Sequence, residues 1–563
     1  MHVMKKNLSF AFAVMSFAAL TMFSSCQKDE AVVTRFEATI ANISGNSKTV
    51  LDGLNLYWVP GDRIKVYDAS NNIGVYESTD PAETSPFDLV NGRVVENSTY
   101  RAIYPASAGD NAGRLVLPLD QRTTDGSLTE FPMYAESRTA KPSLEFDNLC
   151  GVICFKLQRQ GVSVSSIEVT TDKQLTGTFT ISNNDGLSLT GSTSGSNSVT
   201  LTCSTPQSIS SQKSFYMYVP ANEFKFMRIR IYSNDGHVCT KTLNADATFI
   251  VERGKITPLT LNSNNLDFTS IAGELPGLFS IGKNVKVRFS SGNMQYTTVG
   301  THAVAEGGPA GGTWRFAPNQ YEYIGKGNEN ISETYTGWID LFGWATSGWN
   351  GIGEGKNFQP YHWGGMSGAL YGPTGGFNID VTGNYAYADW AVYNAISNGG
   401  NAPGMWRNLS KDEWMYVTTN RPDASGKLGT GTVNGVGGLI LLPDSWTTTP
   451  AGCTFTPGYS NDQSSWDPNH YTVAQWAMME AAGAVFLPAA GYRVGSSVDV
   501  ANIGKSGHYW STTAIDAYQA VSARVMTIKP GGQGNTADYD DYSTMRNRGH
   551  SVRPVRVITS SQQ

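Results

Sequence analysis

The chain has 563 residues, a formal net charge of -6, 16 % charged and 11 % aromatic residues, and 60 glycines. That length exceeds what one hydrophobic core serves, so roughly two to four domains are expected, and low charge with high aromatic content excludes a disordered polymer. The acidic balance without a basic run excludes the positive footprint of a nucleic-acid binder, while abundant Thr, Ser, Val, Tyr and Gly point to a mostly β, turn-rich chain.

At the N-terminus Lys5 and Lys6 precede an apolar run over 8–23, then Ser24-Ser25-Cys26 and Gln27-Lys28-Asp29-Glu30. A basic start, a short apolar stretch and small residues before a cut mark a secretory signal, and the run is slightly short for spanning a bilayer. The cysteine after the small pair resembles the lipobox of bacterial lipoproteins. That resemblance implies cleavage before Cys26, acylation of its thiol, and anchorage outside the cytoplasm; an ordinary signal with an incidental cysteine is the alternative. Lys28-Asp29-Glu30 resembles the acidic tag of lipoproteins sent to the outer face of the outer membrane, with lipid on Cys26 as sole anchor. Residues 1–25 are thus assigned as signal and 26–34 as linker. With Cys26 lipidated, five of six cysteines remain, an odd number that cannot all pair internally. Cys150 and Cys154, in one expected strand, lie about 13 Å apart and cannot bridge; Cys203 with Cys239 stays open.

From residue 35 to 262 short runs alternate with period two, as in 36–40, 63–67 and 227–232. Such runs read as strands with one buried face, and their turn-separated spacing predicts two tandem sandwiches over 35–148 and 149–262. Trp58, with no other tryptophan before residue 268, is expected to plug a core, and Gly61-Asp62 to form a tight turn. Lys48-Thr49-Val50-Leu51-Asp52-Gly53, Tyr57-Trp58-Val59-Pro60-Gly61-Asp62-Arg63-Ile64 and Tyr104-Pro105-Ala106 resemble the opening of the fimbrillin family. Leu117-Pro118-Leu119-Asp120-Gln121, Pro132-Met133-Tyr134-Ala135, Leu144-Glu145-Phe146-Asp147-Asn148-Leu149-Cys150-Gly151-Val152 and Gly254-Lys255-Ile256-Thr257 continue in the same order. The resemblance implies two-domain β-sandwich lipoproteins of Gram-negative bacteria that build or cap pili, with other pilus subunits as partners by strand exchange. It also implies proteolytic maturation at an N-terminal arginine, for which Arg35 is the candidate; an arginine opening an edge strand is the plainer reading.

Twelve of thirteen tryptophans fall between Trp314 and Trp510, after a polar stretch that suits a linker over 263–275. Over 276–558 the sequence predicts a strand at 285–289, a helix at 389–396 stopped by Gly399-Gly400, and strands at 438–443 and 485–488. Ser410 with Glu413 reads as a capping box ahead of Trp414, and 472–482 as a helix ending at Gly483. Phe486-Leu487-Pro488-Ala489-Ala490-Gly491-Tyr492-Arg493, Gly507-His508-Tyr509-Trp510-Ser511-Thr512 and Gly549-His550-Ser551-Val552-Arg553-Pro554-Val555 resemble the ending of major-paralogue repeats and sulfatase-modifying-factor-like domains. That resemblance implies a C-type-lectin-like fold, with Thr512 in place of the usual serine. The expected fold class is mostly β: two tandem fimbrillin-like β-sandwiches followed by an α+β C-type-lectin-like domain.

The oxidases of that fold rely on a cysteine pair, and this half holds only Cys453, so their activity is not expected. A glycosidase needs two facing carboxylates, and no spacing singles out a pair among Asp340, Asp389, Asp444 and Glu480. His362, His470, His508 and His550 lack metal-ligand spacing, and the glycines at 351–355 lack the strand–turn–helix context of a phosphate loop. Trp466-Asp467-Pro468-Asn469 resembles the calcium-and-sugar loop of true C-type lectins, which implies ligand roles for Asp467 and Asn469; helix-start residues are the alternative. Asp538, Asp540 and Asp541 could hold Ca2+, the one candidate cofactor, or face solvent. Trp344, Trp349 and Trp363 sit in Gly-rich segments, where aromatic faces either stack on a ligand or fill an irregular core. The expected function is a non-enzymatic adhesin at the cell outer membrane, a pilus tip or accessory subunit that binds a glycan or host protein through its C-terminal domain. Roughly 300 residues after the second sandwich would obstruct head-to-tail growth. A surface enzyme or accessory acting on polysaccharide, and a structural envelope protein, are the rival classes.

Overall fold

The computed structural model describes residues 31–40 and 57–558, apart from 97, 129, 138–140, 184–185, 192–194, 244–247, 263–265, 269, 306–310, 353–357, 363–370, 374–378, 496, 516–521 and 531–542. The chain is mostly β. Alternating residues form β1 (Arg35–Ile40), β2 (Arg63–Asp68), β3 (Ile73–Ser78), β4 (Thr84–Gly92) and β5 (Tyr100–Tyr104). There follow β6 (Leu115–Leu117), β7 (Asp120–Thr123), β8 (Met133–Ser137) and β9 (Ser143–Asn148). Seven of these close into a ring in the order β1-β4-β3-β2-β5-β8-β9. β1 is antiparallel to β4, with Phe36 opposite Phe87, and parallel to β9, with Ala38 opposite Leu144. Both its edges are therefore hydrogen-bonded, and Phe36, Ala38 and Ile40 face the core.

Trp58 plugs that core as its isolation in the sequence suggested. It is 1 % exposed, donates from Nε1 to Ala38 O at 2.9 Å, and packs edge-on against Phe87, Tyr104 and Phe146. The following turn needs glycine: Gly61 has φ +96°, while Asp62 accepts from Val59 N at 2.9 Å and from the Tyr104 hydroxyl.

The second β unit comprises β10 (Cys150–Leu157), β11 (Ser163–Thr171), β12 (Gly177–Ser182), β13 (Ser188–Gly191), β14 (Ser198–Ser208) and β15 (Lys213–Pro220). It continues with β16 (Asn222–Phe224), β17 (Met227–Ser233), β18 (His237–Leu243), β19 (Phe249–Val251), β20 (Ile256–Leu261) and β21 (Ser270–Ile271). A sheet β15-β10-β20 packs on a larger one, β21-β18-β17-β11-β14-β7, through Ile153, Phe155, Ile167, Ile229 and their neighbours. β7 thus leaves the first unit to edge the second, and β6 pairs with β12, so the two units interlock. β21, within the stretch read as linker, extends the large sheet beside β18. Cys150 and Cys154 share β10, and none of the five described cysteines forms a disulfide. Cys203 and Cys239 lie on β14 and β18 with two strands between them, about 14 Å at strand spacing, which closes the pairing left open.

Among its described residues the C-terminal half mixes short strands, irregular loops and three α-helices: α1 (Trp390–Tyr393), α2 (Lys411–Met415) and α3 (Val473–Ala481). The expected capping box of Ser410 with Glu413 forms on α2, and the structure adds a second, Thr472 with Gln475, at the start of α3. Its tryptophans mostly replace regular layering. Trp314, Trp344, Trp390, Trp406 and Trp510 share one core, Trp414 and Trp466 a second, and Trp476 a third that also contains Phe226 of the second unit.

That third core belongs to a junction. β17 turns Met227, Ile229 and Ile231 into its own sandwich, so Arg228 and Arg230 project from the opposite face. The C-terminal half covers them. Glu480 of α3 accepts from Arg228 and from Arg230, each at 2.7 Å, and Arg230 also reaches Glu168 at 3.1 Å and Pro318 O at 2.9 Å. Arg228 donates to Asn319 at 2.6 Å, and Gln320 donates to the second Glu480 oxygen at 3.0 Å. Burial alone would push the Glu480 carboxyl up, yet the two guanidiniums hold it below the ordinary carboxylate value. Nearby, Arg315 lies 3.5 Å over the Trp338 ring, and both side chains donate to Asp120 of β7.

Candidate functional site

Of the tryptophans singled out from sequence, the structure leaves Trp349 partly open. Its Gly-rich loop is held by Ser347, whose hydroxyl accepts from Trp349 N at 3.2 Å and donates to Tyr387 O at 2.6 Å. The indole meets Tyr387 and Tyr385 edge-on, with centroids 5.8 Å and 6.5 Å away. Both tyrosines come from the 3-10 turn Gly383–Ala388 and are half-buried. Three half-buried aromatic rings thus meet edge-on where a short turn and a braced loop come together, a cluster whose exposed parts suit contact with a sugar ring or an apolar side chain. The sequence signalled only its tryptophan, because the tyrosines lie over thirty positions later and converge only on folding.

Trp344 takes the second of the two readings and fills the core. It is fully buried, donates from Nε1 to Ser511 O at 2.9 Å, and carries Arg546 4.5 Å over its ring, so no ligand reaches it. The Gly-rich setting reflects a close approach: a Cβ on Gly372 would sit 2.5 Å from the Trp344 ring. Trp363 lies outside the described residues.

Asp467 and Asn469 do not form a shared site. Asn469 is buried at the start of the strand Asn469–Tyr471, where Oδ1 accepts from Thr456 N and Nδ2 donates to Thr430 O and Thr456 O, each at 2.8 Å. With its amide fully engaged it pins a loop. It is neither an ion ligand nor the helix-start residue, a place Thr472 takes. Asp467, its side chain 51 % exposed, faces His470 at 2.7 Å, and the Ser465 hydroxyl followed by His470 holds its carboxyl below the ordinary value. Asp538, Asp540 and Asp541 lie outside the described residues, as do Cys26 and residues 353–355 of the glycine run. No group of three metal-capable side chains occurs among the described residues.

Each carboxylate considered for glycoside chemistry has another partner. Asp340 accepts from Ile324 N and Asn328 at 2.8 Å, and burial pushes it up to about 6. Asp389 caps α1 through Ala391 N at 3.0 Å and accepts from Asn408 N at 2.7 Å; burial likewise pushes it up to about 6. Asp444 binds Ser280 and Arg421, and Glu480 the junction arginines. His508 and His550 stack with centroids 5.2 Å apart, and burial pushes His508 down to about 3, so that pair is neutral aromatic packing at physiological pH.

No protein-family model and no curated protein matches the chain. Among solved structures, a Bacteroides uniformis protein assigned to cell adhesion aligns over 42 % of this chain and 94 % of its own, with 14 % identity and a TM-score of 0.27. The tip fimbrial protein Mfa3 of Porphyromonas gingivalis aligns over 40 % and 95 %, with 9 % identity and a TM-score of 0.22. A fimbrial assembly protein of Parabacteroides distasonis aligns over 46 % and 97 %, with 12 % identity and a TM-score of 0.21.

Proposed function

We propose that this chain is an outer-membrane lipoprotein adhesin, anchored through Cys26, that presents its fimbrillin-like units' C-type-lectin-like partner to a glycan or protein ligand from a pilus tip or accessory position. The observation that carries the reading is the junction: the C-terminal half sits on β17 through buried Arg–Glu contacts and a shared apolar core. A binding domain seated in this way is held at a fixed angle, which suits presentation at a surface. The open aromatic shelf of Trp349, Tyr385 and Tyr387 is its contact surface, and the reading is of a binding protein rather than an enzyme.

Strand exchange with other pilus subunits has a physical basis at the N-terminus. Arg35 is exposed and bonded to Asp88, and residues just before it pair with the chain at Val94 and Leu89. A cut after Arg35 would strip partners from Val94 O and Leu89 N, opening backbone groups to an incoming strand.

Mass spectrometry of the mature protein is expected to find acylated Cys26, or an N-terminus at Phe36 if maturation occurs. Glycan and host-protein arrays probed with the full chain are expected to return a ligand whose binding drops about tenfold in Trp349→Ala, the loss of one stacking contact. Arrays without any binder would favour a structural envelope protein, and turnover of a polysaccharide would favour an enzyme.

A further inference from the structure

A cleft of about 520 Å³ opens between the second β unit and the C-terminal half, walled by β17, β18, the 270–276 segment, α3 and the strand Val555–Ile558. That volume accommodates one or two sugar rings. Two Arg–Glu–Arg groups line it. In the first, Glu480 lies between Arg228 and Arg230; in the second, Glu274 forms an ion pair with Arg288 at 3.0 Å through one oxygen and accepts from Arg556 at 2.5 Å through the other. Four guanidiniums against two carboxylates leave two positive charges in excess on the wall; Glu168, behind Arg230, reduces that to one. Nε of Arg228 has no hydrogen-bond partner among the described residues. Beside the arginines, Thr240 and Thr242 of β18 stand opposite Arg230 and Arg228 in register and are exposed.

We propose that this cleft binds a saccharide bearing a carboxylate, such as a uronic or sialic acid residue. Planar guanidiniums match a carboxylate by paired hydrogen bonds, and the excess charge draws an anion in. The wall is not uniformly basic, and this selects the class. Glu274 and Glu480 would repel a polyanion or a phosphate but accept hydrogen bonds from sugar hydroxyls, and the threonine hydroxyls serve the same ring. A ligand with one negative charge and several hydroxyls satisfies the whole wall. This assignment is independent of the adhesin reading, since it uses none of the aromatic shelf.

Titration calorimetry on the full mature chain, with glucuronic acid and N-acetylneuraminic acid as probes, tests it. Glucose, inorganic phosphate and a short polyaspartate serve as comparators. The acidic sugars are expected to bind and glucose not to, with affinity falling as salt rises. Arg288→Gln is expected to weaken binding about tenfold, whereas Glu274→Gln, which frees both of its arginines, is expected to strengthen it. Thr242→Val, a mild change at an exposed position, guards against misfolding of the arginine variant and is expected to weaken binding without shifting the melting temperature. Trp349→Ala is expected to leave these affinities unchanged. The proposal is overturned if neither acidic sugar binds at about 10 mM, if phosphate or polyaspartate binds equally well, or if Glu274→Gln weakens binding as Arg288→Gln does.

Discussion

Asp340 and Asp389 are wholly enclosed by the C-terminal half, and each carboxylate accepts hydrogen bonds from neutral donors, Ile324 N and Asn328 for the first and Ala391 N and Asn408 N for the second. Burial raises both to about 6, against about 3.9 in an unfolded chain. Between those values the native state holds protons that the unfolded chain has released, so stability falls as pH rises from about 4 to about 6. The shift amounts to about 2–3 kcal/mol per group. In urea melts of wild type and Asp340→Asn, the variant is therefore expected to gain about 2–3 kcal/mol relative to wild type between pH 4 and pH 7. A pH-independent gap would refute the assignment of that slope to Asp340. At this scale the sequence was legible where one residue has one plausible use, as with Trp58. It was not legible for Trp344 and Asn469, whose loop setting hides that other loops fold over them.

Among the elements, α3 shows how local code and long-range role combine. Its limits were readable because Thr472 and Gln475 satisfy orphan amides at the first turn and Gly483, at φ +101°, ends the last. Its importance was not, since Glu480 in the final turn meets arginines some 250 positions earlier. Thr472→Ala is expected to cost about 1 kcal/mol by losing the cap. Denaturation followed by near-ultraviolet circular dichroism of the tryptophan cores would register it; an unchanged midpoint would mean that tertiary packing alone sets the helix start. β17 presents the complementary case. Its alternation predicts a strand with one buried face, and the structure covers the charged face as well.

Over the whole molecule, the contrast in tryptophan content does not translate into two bodies joined only by a linker. β7 interlocks the β units, β21 extends the second into the linker region, and the Arg228–Glu480–Arg230 group closes the junction. Removing the shared anion leaves the buried Arg228 without a counter-charge and Arg230 with Glu168 alone. Glu480→Leu is accordingly expected to destabilise the junction by about 3–5 kcal/mol. Calorimetry should show one transition for the second unit and C-terminal half in wild type, resolving into two in the variant. An unsplit transition of unchanged midpoint would show that the apolar core around Phe226 and Trp476 suffices.

The sequence by itself determined the strands with clear period-two alternation, the Ser410–Glu413 capping box, the Gly61 turn and the placement of Cys150 and Cys154 in one strand. Each follows from interactions within a few residues, where periodicity and cap chemistry are written directly in the chain. Only the tertiary structure decided which aromatics stay open, which carboxylates are enclosed, and that a basic strand face becomes the wall of a cleft. Those outcomes depend on which distant surface covers a given side chain, and burial by a partner hundreds of residues away leaves no local trace in composition or spacing.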